Sequence, residues 1–323
     1  MKKRISIIGA SGYSGAELLK ILLRHPNVEV TSVFANSSAG KRVDELYPVF
    51  RTRTDLTYET YSPERTADSD LVFIALPSGE AMNYVPALFD AGKRIIDLGG
   101  DFRLQDTSLY SKYYKHDHAA AAYLPHAVYG LPEWNALAIT SAQLIANPGC
   151  YVTSALLPLL PLVKEGLITS TGITISSLSG VSGAGRSSSV DLSFTETNET
   201  VKAYKVGVHQ HTPEIETMLE MFGGAMATVT FVPHLIPITR GIYSSIFVQP
   251  TGPVTSEQVA AAYSKHYSNA PFVRIIGTAV PEIKHVQNSN YCDIGWKTYE
   301  RNGQIILHSV IDNLVKGAAG QAV

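Results

Sequence analysis

Residues 4–24 read RISIIGASGYSGAELLKILLR, and this stretch decides the fold class. Residues 4–8 form an apolar run typical of a buried strand, whereas apolar residues recur at helical spacing over residues 17–24. The turn between them carries three glycines, which permit a tight turn and a close approach of the backbone to a ligand. The N-terminus of the helix that follows presents N–H groups to a pyrophosphate. We therefore assign a dinucleotide to the turn residues Gly9, Ser11, Gly12, Tyr13, Ser14 and Gly15. The alternative is a turn that serves only helix–strand packing.

The rest of the first half alternates strand-like with helix-like segments. Strands are predicted at 28–35, 71–76 and 94–98, with a helix at 80–91. Each predicted strand is almost continuously apolar, as expected when helices cover both faces of a parallel sheet. The first half is therefore predicted to be an α/β, doubly wound Rossmann-type domain.

The second half has strand-like runs with fewer helices between them. These runs lie at 173–178, 227–232, 241–248 and 272–276, and helices are predicted at 153–164, 213–222 and 256–267. The Asn302–Gly303 pair predicts a two-residue hairpin turn. We expect an α+β catalytic and dimerisation domain with a mixed sheet. Residues 1–147 plus 305–323 are assigned to the first domain and 148–304 to the second.

Composition excludes several classes of protein. The 323 residues carry 26 basic and 28 acidic side chains, a net charge of −2, which provides no basic surface for nucleic acid. No apolar stretch approaches the roughly 18 residues of a membrane span, and the apolar run after the basic start is too short for secretion. Two cysteines cannot build a disulfide framework, so we expect a cytoplasmic protein. Only 17% of residues are charged, which favours a buried interface in a homodimer or homotetramer.

The end of the second predicted strand indicates which dinucleotide binds. An NAD enzyme commonly has an acidic residue there, which accepts from the ribose 2′-hydroxyl. This chain instead has Ser37, Ser38, Lys41 and Arg42 in that region. Hydroxyls and cations suit a 2′-phosphate, so NADP is favoured over NAD. The alternative is an ordinary solvated loop.

Cys150 follows a Pro148–Gly149 turn and opens a predicted helix. The positive end of a helix dipole lowers the pKa of a thiol and increases its thiolate fraction. Position therefore favours a nucleophile over the small buried residue that a cysteine more often is. Cys292 lies in a predicted strand with alternating polarity and is expected to be such a small buried residue.

Two histidines precede a predicted helix in the segment 207–216, GVHQHTPEIE. Thr212 is predicted to cap a helix that begins at Pro213. His209 and His211 then lie on one side of an extended segment. One imidazole can carry a proton for the thiol, with Glu214 near enough to orient it. Spacing alone leaves open which histidine does so, and it provides no further ligand for a metal, so no metal is expected.

Three arginines have glycine-flanked positions that suit an anionic substrate. Arg186 ends the small-residue run SGVSGAGR at 179–186, and Arg103 and Arg240 lie in similar surroundings. The alternative for each is a surface ion pair.

Taken together, the motifs resemble the N-acetyl-γ-glutamyl-phosphate reductase family of arginine biosynthesis. The matching motifs are GASGYSG at 9–15, NPGCY at 147–151, SGVSGAGR at 179–186, HQHTPEI at 209–215 and DNLVKG at 312–317. One departure is Val152, where the family commonly has proline. The resemblance implies Cys150 as nucleophile, and His209 as acid/base with Glu214 as its partner. It also implies cofactor contacts at Ser179, Gly180 and Asn313, and substrate contacts at Arg103, Arg186, His211 and Arg240.

The implied reaction reduces an acyl phosphate through a cysteine thioester. Cys150 displaces phosphate, NADPH reduces the thioester, and His209 as imidazolium protonates the oxygen as the semialdehyde forms. The alternatives are an aspartate-semialdehyde dehydrogenase, a lysine-pathway reductase of a carrier-protein-bound substrate, and a non-enzymatic NADP-binding redox sensor.

Overall fold

The computed structural model describes residues 2–186 and 189–323. The chain forms two compact units, one of Met1–Gly149 with Ala318–Val323 and one of Cys150–Gly317. The sequence prediction gave residues 305–323 to the first domain, but residues 304–311 form a strand of the second sheet. This strand is hydrogen-bonded on both sides within that sheet, so the chain returns to the first unit only at Ala318.

The first unit contains a seven-stranded sheet in the order β3-β2-β1-β4-β5-β7-β6, and every pair is parallel. Its strands are β1 Lys3–Ile8, β2 Val28–Phe34, β3 Tyr58–Glu59, β4 Leu71–Ile74, β5 Arg94–Asp97, β6 Ala127–Tyr129 and β7 Leu144–Ala146. The strand order reverses between β1 and β4, which is the switch point of a doubly wound fold. The predicted Rossmann-type domain is confirmed.

The second unit contains a mixed sheet in the order β12-β13-β14-β11-β8-β10-β9. Its strands are β8 Ile173–Gly180, β9 Lys202–Ala203, β10 Val229–Ile236, β11 Ile242–Val248, β12 Val273–Gly277, β13 Cys292–Tyr299 and β14 Gln304–Ile311. Two pairs, β8 with β10 and β12 with β13, are parallel, and the others are antiparallel. The predicted mixed sheet is confirmed.

The α-helices are α1 Tyr13–Leu22, α2 Val43–Leu46, α3 Pro63–Thr66, α4 Val85–Asp90, α5 Thr107–Tyr114, α6 Pro132–Ser141, α7 Cys150–Lys164, α8 Phe194–Thr197, α9 His211–Met218, α10 Ser256–Tyr267 and α11 Gly320–Ala322. Short 3₁₀ helices lie at Asn36–Ser38, Pro48–Phe50, Ala81–Asn83, Ala121–His126, Val181–Ala184, Val190–Leu192 and Ile283–His285, and π-helical turns at Leu219–Gly223 and Val315–Ala319. No helix of the described residues is long and apolar enough to cross a membrane.

Hydrophobic packing covers both faces of the first sheet. Leu18 and Leu19 of α1 belong to one buried cluster with Ile5 and Ile7 of β1. A second cluster joins α4 to the alternate residues of β4. The predicted helix at 80–91 is divided into a 3₁₀ turn and α4, because Pro86 has no N–H to continue a helix across it.

Two local predictions in the second unit have different outcomes. Helix α10 begins as predicted, with the reciprocal bonds of a capping box between Thr255 and Gln258, a device that contributes about 1 kcal/mol. The two-residue hairpin was wrong, because Tyr299 pairs with Gln304 and four residues form the loop. The Tyr299 carbonyl accepts from Asn302 at 3.2 Å and from Gly303 at 2.9 Å, and Gly303 takes the positive φ of 72° that closes this longer turn.

Candidate active site

Cys150 is the first residue of α7, as predicted, and its side chain is partly exposed. The thirteen residues that follow it, Tyr151–Val163, are all buried, so the helix that carries the thiol is fixed by packing. A Cβ added to Gly317 would lie 2.8 Å from the Cys150 Cβ. Gly317 is therefore a close neighbour of Cys150, a contact that the DNLVKG motif at 312–317 did not by itself indicate.

The charge of this thiol affects two tyrosine hydroxyls that are hydrogen-bonded to each other. Tyr204 donates to the hydroxyl of Tyr151 at 3.1 Å, and Tyr151 donates to the backbone carbonyl of His234 at 3.2 Å. Burial raises the pKa of Tyr204 above its usual value, and negative charge at Cys150 raises it further against the hydrogen bond to Tyr151. Charge at Cys150 also raises the pKa of Tyr151, again after burial as the main cause. Both phenols are therefore close enough to Cys150 for its charge to raise their pKa.

His209 faces the same two tyrosines. Its ring centroid lies 5.8 Å from that of Tyr151, 5.5 Å from that of Tyr204 and 5.3 Å from that of Phe231. Only 3% of the residue is exposed. Burial lowers the pKa of His209 to about 4, with a smaller contribution from the positive charge of Lys205. The shared tyrosines place His209 on the same side of this unit as Cys150.

The structure corrects the predicted start of the histidine helix. Helix α9 begins at His211, two residues before Pro213, and Thr212 does not cap it. The Nδ1 atom of His209 accepts from the backbone N–H of His211 at 3.0 Å, so a histidine side chain closes the turn. The two imidazole centroids are 4.7 Å apart because of this turn, and not because of the alternation of an extended segment.

Glu214 lies in the first turn of α9 and is completely buried. Residues three apart on a helix are neighbours, so the backbone places Glu214 next to His211. The sequence prediction paired Glu214 with His209. The spacing along α9 makes His211 a neighbour of Glu214 as well.

The small-residue run at 179–186, whose arginine was predicted to bind an anionic substrate, is closely packed at Gly180. A Cβ there would lie 2.7 Å from the carbonyl oxygen of Thr239, so only glycine fits. Asn313 holds the two segments together, accepting from Gly241 N–H at 2.8 Å and donating to the Ser182 hydroxyl at 3.0 Å. Ser179 is buried, and its hydroxyl donates to the Gly180 carbonyl at 3.0 Å.

The three candidate arginines have different surroundings. Arg240 lies 3.5 Å from the buried carboxylate of Asp312, and Arg186 is exposed at the edge of the described residues. Arg103 is a residue of the first unit, 7% exposed, and donates to the carbonyls of Asn147 at 2.7 Å and Leu98 at 2.8 Å. Arg103 therefore holds the segments that follow β5 and β7.

The glycine turn of the first unit is packed closely against the protein's own backbone. Gly9 has φ of 83°, and a Cβ there would lie 2.3 Å from the carbonyl oxygen of Ala75. A Cβ on Gly15 would lie 2.4 Å from the Gly9 carbonyl oxygen. Gly12 precedes α1 without a side-chain cap, and Tyr47 donates to the Ser11 carbonyl at 2.8 Å. The turn thus keeps the α1 N–H groups accessible to a ligand.

The segment after β2 supports part of the 2′-phosphate prediction. Ser37 is exposed, whereas Ser38 is buried in the 3₁₀ turn. Arg42 contacts Asp44 at 2.9 Å and Asp55 at 3.1 Å. These two carboxylates already bind the guanidinium, so the hydroxyls and Lys41 are the better candidates for a phosphate.

A pair of buried carboxylates organises the loops of the first unit, and sequence reasoning missed it. Asp101 accepts from the N–H groups of Gly79 and Ala81, at 2.7 and 3.1 Å. Burial, and then the charge of Asp101, raises the pKa of Asp97 to about 7. Among the described residues no group of three His, Cys, Asp or Glu side chains could hold a metal ion.

Two family models match the chain. The model described as "Semialdehyde dehydrogenase, NAD binding domain" matches residues 4–142, and "Semialdehyde dehydrogenase, dimerisation domain" matches residues 150–313. Relatives named N-acetyl-gamma-glutamyl-phosphate reductase include one from Pelotomaculum thermopropionicum, 48% identical over 100% of this chain and 94% of its own. Another, from Geobacter sulfurreducens, is 47% identical over 99% of this chain and 93% of its own.

Solved structures share the fold at much lower identity. Aspartate semialdehyde dehydrogenase II from Vibrio cholerae superposes with a TM-score of 0.78 at 17% identity, covering 100% of this chain and 96% of its own. Aspartate semialdehyde dehydrogenase with NADP from Candida albicans gives a TM-score of 0.73 at 16% identity, with the same coverage. Both solved structures share the two-domain architecture of this chain.

Proposed function

Because the chain belongs to the N-acetyl-gamma-glutamyl-phosphate reductases of the semialdehyde dehydrogenase family, we propose that Cys150 is the nucleophile of that reaction. The reaction is the NADPH-dependent reduction of N-acetyl-γ-glutamyl phosphate to N-acetylglutamate 5-semialdehyde and phosphate, in arginine biosynthesis. The observation that carries the assignment of the nucleophile is the thiol on the first residue of α7, whose charge raises the pKa of Tyr204, a residue whose ring lies 5.5 Å from that of His209.

The chemistry of the site begins with the sulfur. The N-terminus of α7 stabilises negative charge on Cys150, which favours the thiolate. The thiolate attacks the acyl carbon, a C–S bond forms as the C–O bond to phosphate breaks, and the product is a thioester. A thioester accepts hydride far more readily than a carboxylate, so covalent catalysis divides a difficult reduction into two accessible steps. His209 contributes a ring nitrogen, and buried Glu214 orients the histidine pair.

NADP(H) fits the first unit. Gly9 and Gly15 permit a turn so tight that any Cβ there would collide with the protein backbone, and no side chain caps the N-terminus of α1. These residues would hold the pyrophosphate, and Ser37, Ser38 and Lys41 the 2′-phosphate. When bound, NADPH supplies the hydride that reduces the thioester. Ser179, Gly180 and Asn313 stay our predicted contacts to the cofactor.

The substrate carries a carboxylate and a phosphate, so its binding requires cations and N–H donors. We assign these roles to Arg186, Arg240, His211 and Arg103. Arg240 lies 3.5 Å from the buried carboxylate of Asp312, which holds its guanidinium in place in the second unit.

The experiment that tests the function is a substrate comparison. With phosphate and NADP, N-acetylglutamate 5-semialdehyde is expected to produce NADPH, measured by absorbance, at least about a hundredfold faster than aspartate semialdehyde. A carrier-protein-bound homologue is the third substrate. Faster turnover of aspartate semialdehyde or of the carrier-bound compound would contradict the assignment.

The alternative activities are not favoured. Aspartate semialdehyde dehydrogenases share the fold at 16–17% identity, whereas the named reductases are 47–48% identical along the whole chain. A redox sensor without turnover would leave the buried imidazole pair and its carboxylate unexplained. Neither cysteine forms a disulfide, and a nucleophilic thiol must stay reduced, which supports a cytoplasmic location.

We propose that two copies of the chain pair through one face of the second sheet. Helix α7 packs against the inner residues of β11 and β14, whereas the outer residues Leu178, Tyr243, Phe247 and Ile306 are only partly buried. This face lies within the part of the chain that the dimerisation-domain model matches. Light scattering is expected to give at least twice the 35.0 kDa of one chain, and Phe247→Asp is expected to lower this mass. A monomeric wild type would contradict the proposal.

A further inference from the structure

Asp312, a fully buried carboxylate, directly follows the strand β14. Its Oδ1 accepts from the N–H groups of Leu314 at 2.8 Å and Val315 at 3.2 Å. Its backbone carbonyl accepts from the N–H of Gly317 at 2.9 Å. A short acidic side chain that accepts from the backbone N–H two residues later fixes the turn in which it lies. Asp312 therefore determines the course of the chain from β14 to Gly317.

The turn that Asp312 fixes lies against the proposed nucleophile. A Cβ built on Gly317 would lie 2.8 Å from the Cys150 Cβ and 3.3 Å from its Cα, so the two backbones approach closely. On its other side Cys150 continues into α7, whose next thirteen residues are buried. Cys150 therefore lies between a helix that cannot move and this turn, and a change in the turn is a change beside the thiol.

The second oxygen of Asp312 contacts a different part of the site. Its Oδ2 accepts from the N–H of Asn288 at 2.7 Å and lies 3.5 Å from the Nη1 atom of Arg240. The carboxylate is fully buried, whereas the Arg240 side chain is 22% exposed. A guanidinium has five N–H donors, so a contact at one nitrogen leaves the others for an anionic ligand. Asp312 thus holds Arg240 from the inside while its outer N–H groups are accessible.

The four contacts described for the two oxygens of Asp312 all come from donors. Three are backbone N–H groups, and the fourth is the guanidinium of Arg240. An amide at this position would point its NH₂ group at donors on one side or the other, so only a carboxylate satisfies both sides. Moving either side away would leave a buried charge without its partners, which is costly. The carboxylate therefore holds both sides in one arrangement.

We propose that Asp312 is a positioning residue, which fixes the guanidinium of Arg240 for the anionic substrate and the turn that borders Cys150. The first half rests on the proposed function, in which Arg240 contacts the substrate. The second half rests on the contacts of Gly317 alone. Because Asp312 is fully buried, it acts through these neighbours and not by contact with the substrate.

Two substitutions of Asp312 separate its two sides. Serine keeps a short oxygen that accepts from the N–H of Leu314, but it carries no charge for Arg240, whereas alanine removes both contacts. With semialdehyde, phosphate and NADP, we expect both variants to raise the KM of one anionic substrate about tenfold. Only Asp312→Ala is expected also to lower kcat, by about 10- to 100-fold, because the turn then releases Gly317. Equal kcat in the two variants would overturn the proposal.

A double-mutant cycle with Arg240→Gln tests the route of the KM effect. Because Asp312 acts on the substrate through the guanidinium, Asp312→Ser is expected to raise KM by less than about twofold once that group is absent. The same rise in both backgrounds would overturn the proposal. An unchanged KM in Arg240→Gln alone would overturn it too, since Asp312 would then have no substrate contact to act through.

Asp106 provides the matched control in the first unit. Its Oδ1 accepts from the N–H groups of Ser108 at 2.8 Å and Leu109 at 3.2 Å, the same spacing along the chain as in the Asp312 turn. Asp106→Ala removes these bonds at the start of α5 and is expected to lower the melting temperature while kcat and KM stay unchanged. Losses of kcat and KM equal to those of Asp312→Ala would overturn the proposal.

Hydrogen exchange tests the turn in the unaltered protein and needs no turnover. The N–H groups of Leu314 and Gly317 are expected to exchange with deuterium at least about 10²-fold more slowly than a free amide. Exchange at the rate of a free amide would overturn the proposal, even if the variants fold poorly. Cys150 is expected to be alkylated at least about threefold faster in Asp312→Ala than in Asp312→Ser, because the turn no longer covers it. Equal alkylation rates would overturn the second half.

Failure of the proposed function has a different signature. A wild type that does not convert N-acetylglutamate 5-semialdehyde would contradict that function and with it the substrate role of Arg240. The exchange and alkylation measurements would still confirm or overturn the contact from Asp312 through Gly317 to Cys150.

Discussion

Cys150→Ser is expected to lose reduction of the acyl phosphate by at least about 10³-fold. A serine hydroxyl has almost no anionic fraction at neutral pH, even at a helix N-terminus, so the thioester and any equivalent ester form too slowly to support turnover. The side chain keeps nearly the same size, and α7 is fixed by its buried residues, so the fold is expected to persist. The measurement is NADPH formation from semialdehyde, phosphate and NADP, together with NADPH binding by fluorescence, which should be unchanged.

The chain offers a matched control for this substitution. Cys292 is fully buried in β13, with its sulfur 3.4 Å from the Ser309 hydroxyl, so Cys292→Ser makes the same chemical change away from the proposed site. This variant is expected to remain active. Mass spectrometry after mixing with acyl phosphate alone should detect an acyl group on Cys150 in wild type and in Cys292→Ser. Turnover of Cys150→Ser within about tenfold of wild type would remove the thiol from the mechanism.

Gly317→Ala is expected to lower kcat about a hundredfold, although alanine adds only one methyl group. The new Cβ would lie 2.8 Å from the Cys150 Cβ and 3.3 Å from the Ile311 Cδ1. Helix α7 cannot retreat, because residues 151–163 are all buried, so the thiol or the π-helical turn Val315–Ala319 must move. A displacement of about 1 Å at a nucleophile has a cost of this size.

The control for Gly317→Ala is a glycine with free space. A Cβ on Gly252 meets no atom within 4 Å, and its φ is outside the left-handed region, so Gly252→Ala is expected to retain full activity. The rate of Cys150 alkylation separates a displaced thiol from an unfolded protein, and the melting temperature is measured alongside. Equal kcat in the two alanine variants would contradict the close approach of Gly317 to the sulfur.

Local sequence patterns predicted the parts of the molecule that are determined locally. The strand–glycine–helix start and the thiol at a helix N-terminus each depend on a few consecutive residues, and the structure has both. The start of α10 at Ser256, held by the Thr255–Gln258 capping box, is of the same kind. Each could be predicted because the hydrogen bonds or steric limits involved lie within one turn of chain.

The predictions that failed involve competing partners. Thr212 and Pro213 form a good helix-start pattern, but the His209 ring accepts the His211 N–H and moves the start by two residues. Asn302–Gly303 favours a short hairpin, whereas the register of β13 with β14 requires four loop residues. Gly317, Tyr204 and Asp101 reach their places through tertiary packing over long separations in sequence, and no pattern within one segment carries that information.

The last residues of the chain complete the core of the first unit. Ala319 is fully buried in the cluster of Leu18, Leu19 and Ile5, and α11 lies against α1. The ribosome therefore produces the strands of the first sheet early. The hydrophobic core of that unit is incomplete until the segment after Gly317 has emerged from the ribosome. In co-translational folding, the packing of the amino-terminal half is therefore closed only after the whole second unit has been translated.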